Sequence, residues 1–525
     1  MAMRLRAGAV ANRQCARHRP GMSFRLLCPA ALLAACAFAC SSPQPGNDTA
    51  GEGEGEGEGE GDGEGEGEGE GEGEGEGEAR QPFAPQPDTS EGLVNTSANL
   101  EELLEHGALE GACAAWENEP SDRRKKLLCG KSMFFYEGFS TLGVPTALFD
   151  FFGNRFPDVT GTAWSGYGLV PDPFTPERPL GVAPGAPLGN VDTLAFTCAS
   201  CHLAQLPDGR YSVGAPNHRY EYGKQILAIS LPAASLSPSF DESEHHPDAI
   251  AATAPLRDAL AADSGLRLSL LFDLLPLIGA AQPAFDRETE GHYAHWRSGT
   301  MDFMMAPLPL DDEVHTVSKI LSLWGLATAD ESAAAGMPHE QLAWTGGAQS
   351  LMDFLFGFVA IGDGGELVWD EAALSPLHEY LLSLRQPSTP TKAPAAQLDE
   401  GRALFASDCL SCHDGPRGMG RALYTFEELG TDDAMRAWGD ADLDGAFCCG
   451  FEGSPSHKIK SPRIVGVWAQ ERLLHNGAVT SLEELLCLEP RPDDTFPAQG
   501  AQGHTFGCAR LESERRALLA FLRSL

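Results

Sequence analysis

The chain has little positive charge. Its 525 residues include 37 Lys and Arg against 75 Asp and Glu, which gives a formal net charge of −38. Residues 51–78 alternate Gly with an acidic residue and carry fourteen of these acids, and the rest of the chain is still acidic, at −24. Proteins that bind nucleic acid use Lys and Arg to neutralise phosphates, so the composition excludes nucleic acid as a partner. The acidic surface either attracts a basic partner or serves solubility alone.

The chain also lacks an apolar run long enough to cross a membrane, which takes about 20 residues. The longest runs, residues 268–281 and 351–361, are interrupted by Asp273, Pro276 and Asp353. Runs of this length and pattern predict core helices.

The beginning of the chain has the pattern of an export signal. Residues 26–39 are apolar, too short to span a bilayer, and follow Arg25. Small residues precede Cys36 as in a bacterial lipoprotein box, and Cys40 is a second candidate. We therefore predict a leader over residues 1–40 and a membrane contact through a lipid anchor only, which places the protein in a bacterial cell envelope.

The Gly-Glu repeat has no apolar side chain to bury, so it predicts a disordered acidic tether, assigned to residues 41–97. A Pro-rich stretch at residues 387–394 then reads as a linker. It divides the remainder into an N-terminal domain, 98–390, and a C-terminal domain, 391–525.

Two Cys-x-x-Cys-His motifs are the strongest chemical signal in the sequence. From the chain's own Cys and His frequencies, about 0.01 such motifs are expected by chance. The residues of the two motifs are Cys198, Cys201 and His202, and Cys409, Cys412 and His413.

The spacing of these motifs suits covalent haem. Positions i, i+3 and i+4 share one face of a helical turn, so two thiols can form thioethers while the histidine supplies the proximal iron ligand. Zinc is the competing interpretation. Export favours haem, because attachment of this kind occurs outside the cytoplasm. We therefore predict two c-type haems.

Six cysteines lie outside the leader and the two motifs. An oxidising compartment makes disulfides the expected state of such cysteines. The local pairs Cys113 with Cys129 and Cys487 with Cys508 are the first to test.

The C-terminal domain begins with a helical segment, residues 398–405, that contains a Gly and a Phe and leads into the second motif. It closes with an amphipathic segment, residues 511–525, whose apolar face is predicted from Leu511, Leu518, Leu522 and Leu525. This arrangement resembles the cytochrome c fold.

Several further islands resemble the di-haem bacterial cytochrome c peroxidase superfamily, and its rubber oxygenase branch most. They are the Gly-Leu-Val-Pro-Asp-Pro stretch from Gly168, the segment from Leu194 to His202, Gly430 to Asp432, Leu474 to Val479, and Gly503 with His504. The resemblance implies a mainly α fold with two cytochrome c-like domains. It also implies that one haem is the reaction site and the other an electron relay.

The resemblance places a distal iron ligand of the C-terminal haem at His504. Other candidates for this sixth ligand are Met419, Met435, His457 and His475, and Met419 is too close in sequence to His413 to reach the opposite haem face. His475 corresponds to the superfamily's His-Asn-Gly histidine, for which the resemblance implies a hydrogen bond in a haem pocket.

For the N-terminal haem, no distal ligand stands out. Trp324 and Trp344 lie in a region that resembles the segment near the reactive haem, although core packing is the more common role of a Trp. Relatives usually have Asp-Gly-Gly where this chain has residues 213–216, Val-Gly-Ala-Pro, so the substrate does not carry over.

A third cofactor signal is an acidic run that resembles the opening of a calcium loop. It consists of Asp440, Asp442 and Asp444, but the twelfth position is Phe451 instead of an acid. A solvated acidic turn is the alternative.

Three functions remain open at this point. The first is a haem-dependent peroxidase or oxygenase at the N-terminal haem, supplied with electrons through the C-terminal haem by a partner such as a small basic cytochrome. The second is a pure electron-transfer cytochrome with both irons six-coordinate. The third is a surface lipoprotein whose haems support a binding role.

Overall fold

The computed structural model describes part of the chain: residues 83–141, 143–187, 191–265, 286–301, 316–337, 340, 342–346, 349–362, 369–436, 458–493 and 496–525. Several predictions concern residues outside these ranges. They are the leader, the lipidation at Cys36 or Cys40, the calcium loop at Asp440, Asp442 and Asp444, and the candidate ligand His457.

Helix predominates over strand, at 44% against 9%, which confirms the prediction of a mainly α protein. None of the described helices is both long and apolar enough to span a bilayer. The helices are α1 (Leu100–Leu103), α2 (Ala112–Asn118), α3 (Arg123–Tyr136), α4 (Thr146–Arg155), α5 (Pro157–Thr160), α6 (Cys198–His202), α7 (Tyr222–Ala234), α8 (Pro247–Ala262), α9 (Arg287–His295), α10 (Ala329–Ala334), α11 (Leu351–Gly362), α12 (Glu371–Ser383), α13 (Ala395–Asp408), α14 (Phe426–Leu429), α15 (Leu482–Leu485) and α16 (Glu512–Leu522).

The strands are short and pair only antiparallel. They are β1 (Thr96–Ser97), β2 (Val144–Pro145), β3 (Val182–Pro184), β4 (Thr193–Phe196), β5 (Leu203–Gln205), β6 (Tyr211–Val213), β7 (Thr300–Met301), β8 (Ser318–Lys319), β9 (Leu423–Thr425) and β10 (Lys458–Lys460). The sheets have the orders β1-β6-β5, β2-β4-β3, β7-β8 and β9-β10. The β2-β4-β3 and β1-β6-β5 sheets flank α6, which carries the first motif.

The folded part begins earlier than residue 98, so the predicted end of the tether at residue 97 is wrong. Strand β1 pairs with β6, and Leu93 is buried in the core. Phe83 packs edge-to-face on Phe405 with ring centroids 6.0 Å apart. The reason is that apolar side chains return to the sequence at residue 83, and they are buried in the fold.

Helices α13 and α16 cross at a glycine. A Cβ placed on Gly401 would lie 2.2 Å from the carbonyl oxygen of Ala517, and the rings of Phe405 and Phe521 pack beside this contact at 5.6 Å. The predicted apolar face of α16 is confirmed at Leu518 and at other positions but is wrong at Leu511, which is 71% exposed. The helix begins only at Glu512, so Leu511 lies outside the periodic segment.

The N-terminal half contains the same helix pair. Helix α3 crosses α12 at Gly130, where an added Cβ would lie 2.1 Å from the carbonyl oxygen of Pro376. The rings of Phe134 and Tyr380 are 6.0 Å apart at this crossing. In both halves the phenylalanine follows the glycine by four residues, so the two halves repeat one packing unit.

This crossing gives a stability prediction. Replacing Gly by Ala inside a helix normally stabilises it, but we expect Gly401→Ala to lower the free energy of unfolding by about 1–3 kcal/mol, because the new methyl group meets backbone atoms of α16. Chemical denaturation measures this change. Glu400→Ala, on the exposed face of the same helix, is the control, and an equal effect of both substitutions would contradict the prediction.

A second repeated unit follows each helix pair. The backbone N–H of Gly325 donates to the carbonyl of Leu384 at 3.1 Å, and that of Gly466 donates to the carbonyl of Leu525 at 3.0 Å. Both members of the second pair lie 141 positions after those of the first. Gly325 binds the carbonyl just after the end of α12, and Gly466 binds the carbonyl just after the end of α16.

The two repeats exchange hydrogen bonds. The N–H of Lys319 donates to the carbonyl of His475 at 2.7 Å, and the N–H of Lys460 donates to the carbonyl of Trp344 at 2.9 Å. Lys319 and Lys460 are equivalent by the 141-residue spacing, and Trp344 and His475 occupy equivalent Trp-Thr-Gly and His-Asn-Gly turns. Reciprocal contacts between equivalent residues are typical of a two-fold relation, so the halves are related by an approximate two-fold axis.

Candidate cofactor sites

The first motif forms the short helix α6. The side chain of Thr197 caps its N-terminus, and the same hydroxyl donates to the carbonyl of Phe134 at 2.9 Å, which ties the motif to α3. Cys198 packs against one hydrophobic cluster and Cys201 against another. The motif therefore lies between the two cores of the N-terminal half.

The second motif follows α13 directly. The N–H of His413 donates to the carbonyl of Cys409 at 3.0 Å, which closes a helical turn between the thiols and the imidazole. The Nδ1 of His413 lies 2.6 Å from the carbonyl of Gly418 and donates to it. A hydrogen bond at Nδ1 fixes the ring and its tautomer, and Nε2 is the nitrogen that would bind a metal ion.

The cysteines separate into two classes. Two disulfides join Cys113 to Cys129 and Cys487 to Cys508, which confirms the predicted pairings. The four cysteines of the motifs remain free. Burial raises the pKa of Cys198 and of Cys409 to about 12 each, so these groups are neutral thiols at physiological pH.

His202 is a buried imidazole with an unused nitrogen. Its Nδ1 is buried and has no hydrogen-bond partner among the described residues. Burial lowers the pKa of His202 to about 4, while a hydrogen bond with the Leu321 backbone opposes this shift and the charge of Arg463 adds to it. The ring is therefore neutral, as an iron ligand must be.

His504 lies near the second motif. Burial and the nearby charge of His413 lower the pKa of His504 to about 4, so the two imidazoles are within electrostatic range of each other. Its Nδ1 is buried without a partner in the described part of the chain. The backbone N–H of His504 donates to the carbonyl of Leu429 at 3.1 Å, which fixes the loop on the end of α14.

The motif islands of the C-terminal half come together around this loop. Gly503 packs so closely on the 430–431 backbone that a Cβ would lie 2.5 Å from the Cα of Thr431. The hydroxyl of Thr431 lies 3.4 Å from Nδ1 of His475. The N–H of Gly500 donates to the carboxylate of Asp432 at 3.3 Å. Residues far apart in sequence thus form one cluster.

Three residues were expected near a haem pocket: Trp324, Trp344 and His475. The last two are in contact, and Trp324 lies apart from them. The rings of Trp344 and His475 are 6.3 Å apart in an edge-to-face arrangement, close to the approximate two-fold axis. Trp324 is fully buried and lies elsewhere, where its Nε1 donates to the carbonyl of Val213 at 2.8 Å and its ring abuts Gly466. Trp324 therefore bridges the chain after the first motif and the C-terminal half.

The methionine candidates for the sixth ligand are engaged elsewhere. Met419 is buried, and its backbone closes the short turn that follows His413. Met435 packs in a small cluster with Trp344, Phe426 and Ile459. Among the described candidates, His504 is the one whose pKa is affected by the charge of His413.

The N-terminal half has a shorter segment where the C-terminal half carries His504. Glu512 follows Leu482 by 30 positions, whereas Glu371 follows Leu351, the equivalent pair, by 20. The sequence between them, residues 352–370, contains no histidine. This segment therefore carries a histidine in only one of the two halves.

Sequence reasoning missed the importance of His218. This residue is buried, its Nδ1 accepts the N–H of Glu471 at 2.8 Å, and its Nε2 has no partner among the residues that the structure describes. Burial and the charges of Lys319 and Arg472 hold its pKa well below the usual value. His218 lies close to Lys319, at the contact between the two halves. The internal repeat makes Lys319 and Lys460 equivalent, so recognising it in the sequence would have pointed to this contact.

The side chains of both motifs fit covalent haem. Each motif offers two cysteines outside any disulfide, on one turn with a buried imidazole, and Nδ1 of His202 and of His504 is buried without a described partner. Within the described ranges, no group of three or more His, Cys, Asp or Glu side chains could hold a metal ion. The zinc alternative therefore gains no support from these side chains.

Comparisons with known proteins add little. No protein family and no curated protein matches this chain. One similar solved structure is Kuenenia stuttgartiensis hydrazine synthase pressurised with 20 bar xenon, at a TM-score of 0.23 and 17% identity, covering 45% of this chain and 79% of that chain. A TM-score this low carries no conclusion about fold or function.

Proposed function

We propose that this protein is an exported di-haem c-type cytochrome with two cytochrome c-like domains. The observation that carries the proposal is the second motif, where two free thiols and His413 lie within electrostatic range of the buried imidazole of His504, whose Nδ1 has no described partner. Two imidazoles on opposite faces of one haem give an iron without an open position, which suits electron transfer. The disulfides support an oxidising compartment, in line with a lipid-anchored place in the bacterial envelope.

We assign the reaction site to the N-terminal haem. A bound haem with an open coordination position binds peroxide or dioxygen. The shorter segment of the N-terminal half, without a histidine in residues 352–370, supports an open distal side. The protein would then be a peroxidase- or oxygenase-type oxidoreductase that receives electrons through the C-terminal haem from a small basic redox protein.

Trp324 has a place in this proposal. Its indole contacts the chain just after the first motif through Val213, and its ring abuts Gly466 in the C-terminal half. An aromatic ring at this position is suited to electron transfer between the halves. Trp344 and His475, which contact each other near the approximate two-fold axis, are the other pocket residues of the proposal.

His218 favours an alternative function. Its Nε2 is buried without a described partner. His218 lies close to the first motif, since the N–H of the preceding residue, Asn217, donates to the carbonyl of Cys201 at 2.8 Å. To bind the N-terminal iron through Nε2, this imidazole would have to move its proton from Nε2 to Nδ1 and give up the hydrogen bond from the N–H of Glu471. Both haems would then be six-coordinate. The protein would then be a pure electron carrier.

Ligand titration separates the two functions. We expect cyanide, added to the oxidised protein, and carbon monoxide, added to the reduced protein, to bind one haem of the two rapidly, because only one distal side is open. Absorption spectra measure the bound fraction. An unchanged spectrum for both haems would reject the enzymatic function in favour of the electron carrier. The variant His218→Ala then tests the alternative, since it would open the N-terminal haem to both ligands.

A further inference from the structure

The guanidinium of Arg491 is saturated by backbone carbonyls. All five of its N–H groups donate, which is the full capacity of the group. The five acceptors are the carbonyls of Glu484, Leu485, Ala501, Gly503 and His504. One side chain thus joins the end of α15 to the loop that ends at His504.

The backbone at His504 needs such support. Its φ is 45°, a left-handed conformation that is uncommon for a residue with a Cβ and costs free energy. Gly503 before it has a φ of 84°, which glycine adopts readily. Arg491 binds the carbonyls of both residues, so its hydrogen bonds hold the backbone of Gly503 and His504 in this conformation.

The chain around Arg491 is specific to this half. The ten residues by which the 482–512 segment exceeds its N-terminal equivalent belong to the stretch that carries both Arg491 and His504. The disulfide between Cys487 and Cys508 closes this stretch. The anchor and the histidine therefore occur together in one half of the repeat.

We propose that Arg491 is a positioning residue that holds His504 at the sixth coordination position of the C-terminal haem. This inference rests on the proposed function, in which His504 is that ligand. Arg491 does not touch the haem iron, and its effect passes through the backbone of residues 503 and 504. A lysine cannot replace it, because an ammonium has three N–H donors where the guanidinium offers five in a rigid fork.

Cyanide binding to the C-terminal haem tests this role, because cyanide must displace His504. We expect Arg491→Gln to accelerate the slow phase of cyanide binding by about tenfold or more, since hydrogen bonds from a charged donor are lost. Arg491→Lys should give an intermediate rate. Added imidazole should restore the low-spin spectrum of the Gln variant, because a free ligand fills the position that the loosened loop vacates.

Arg515→Gln is the matched control. Arg515 also donates to backbone carbonyls of the same segment, those of Leu486 and Cys487, but it does not reach residues 501–504. We expect its cyanide rate to equal that of the wild type. Equal rates for Arg491→Gln and wild type, or equal acceleration by both substitutions, would overturn the positioning role.

The two levels of the proposal can fail separately. If His504→Ala leaves the C-terminal haem low-spin, the ligand assignment is wrong. If His504→Ala makes it high-spin but Arg491→Gln and Arg491→Lys bind cyanide at the wild-type rate, only the positioning role is wrong. Where Arg491→Gln yields no folded protein by circular dichroism, Arg491→Lys alone decides, because it keeps the charge and three of the donors.

Discussion

Replacing both thiols of the first motif, Cys198→Ser with Cys201→Ser, is expected to halve the haem content of the purified protein. The double substitution removes both thioether bonds of one haem and leaves the second motif intact at the end of α13. The wild type, produced with c-type cytochrome maturation machinery, should carry two covalent haems. The pyridine haemochrome spectrum per protein and the mass of the denatured chain measure the change.

The disulfide variant Cys113→Ser with Cys129→Ser is the matched control. It removes the same number of sulfur atoms from the same half of the chain but from a disulfide, so both haems should remain. A wild-type protein without covalent haem would end the proposed function. A double variant of the first motif that keeps two covalent haems would show that Cys198 and Cys201 are not the attachment site.

The second large effect is expected from His504→Ala. Two imidazole ligands make a haem iron low-spin, and the loss of one leaves an open position. We therefore expect the C-terminal haem to change from low-spin to high-spin, with carbon monoxide binding gained at that haem in the reduced protein. Absorption and electron paramagnetic resonance spectra measure the change.

His378→Ala controls for the loss of a histidine as such. His378 is half-buried in α12, and burial lowers its pKa below the usual value, but it lies on the helix pair and not beside His413. We expect its spectra to match those of the wild type. A low-spin C-terminal haem in His504→Ala would mean that another side chain supplies the sixth ligand.

The positions of the two motifs could be read from the sequence, whereas their surroundings could not. Cys-x-x-Cys-His is a local pattern, and its geometry follows from one helical turn, so both motifs could be located from spacing alone. The pairing of Cys487 with Cys508 was also accessible, because the two residues are close in sequence. The left-handed backbone at His504 and its anchor Arg491 could not be predicted from the sequence, because they depend on contacts that no local pattern encodes.

The internal repeat was hidden for a different reason. Only a few side chains recur, such as the glycine and phenylalanine of the helix crossings, because backbone contact at Gly130 and Gly401 tolerates no Cβ whereas most other core positions accept many apolar residues. The spacing between equivalent residues is 271 positions for Gly130 and Gly401, 141 for Gly325 and Gly466, and 131 for Trp344 and His475, which breaks a simple alignment. The start of the fold at residue 83 was missed because acidic composition suggested a longer tether.

The reciprocal hydrogen bonds between Lys319 and His475 and between Lys460 and Trp344 also bear on how the chain unfolds. Separating the halves would strand two peptide N–H groups and two carbonyls, together with the buried ammonium of Lys319, which binds Gln470 and the carbonyl of Arg472. Such groups are costly to leave without partners away from water. We therefore expect the two halves to unfold in one cooperative transition, and neither half to stay folded by itself after cleavage of the connecting linker.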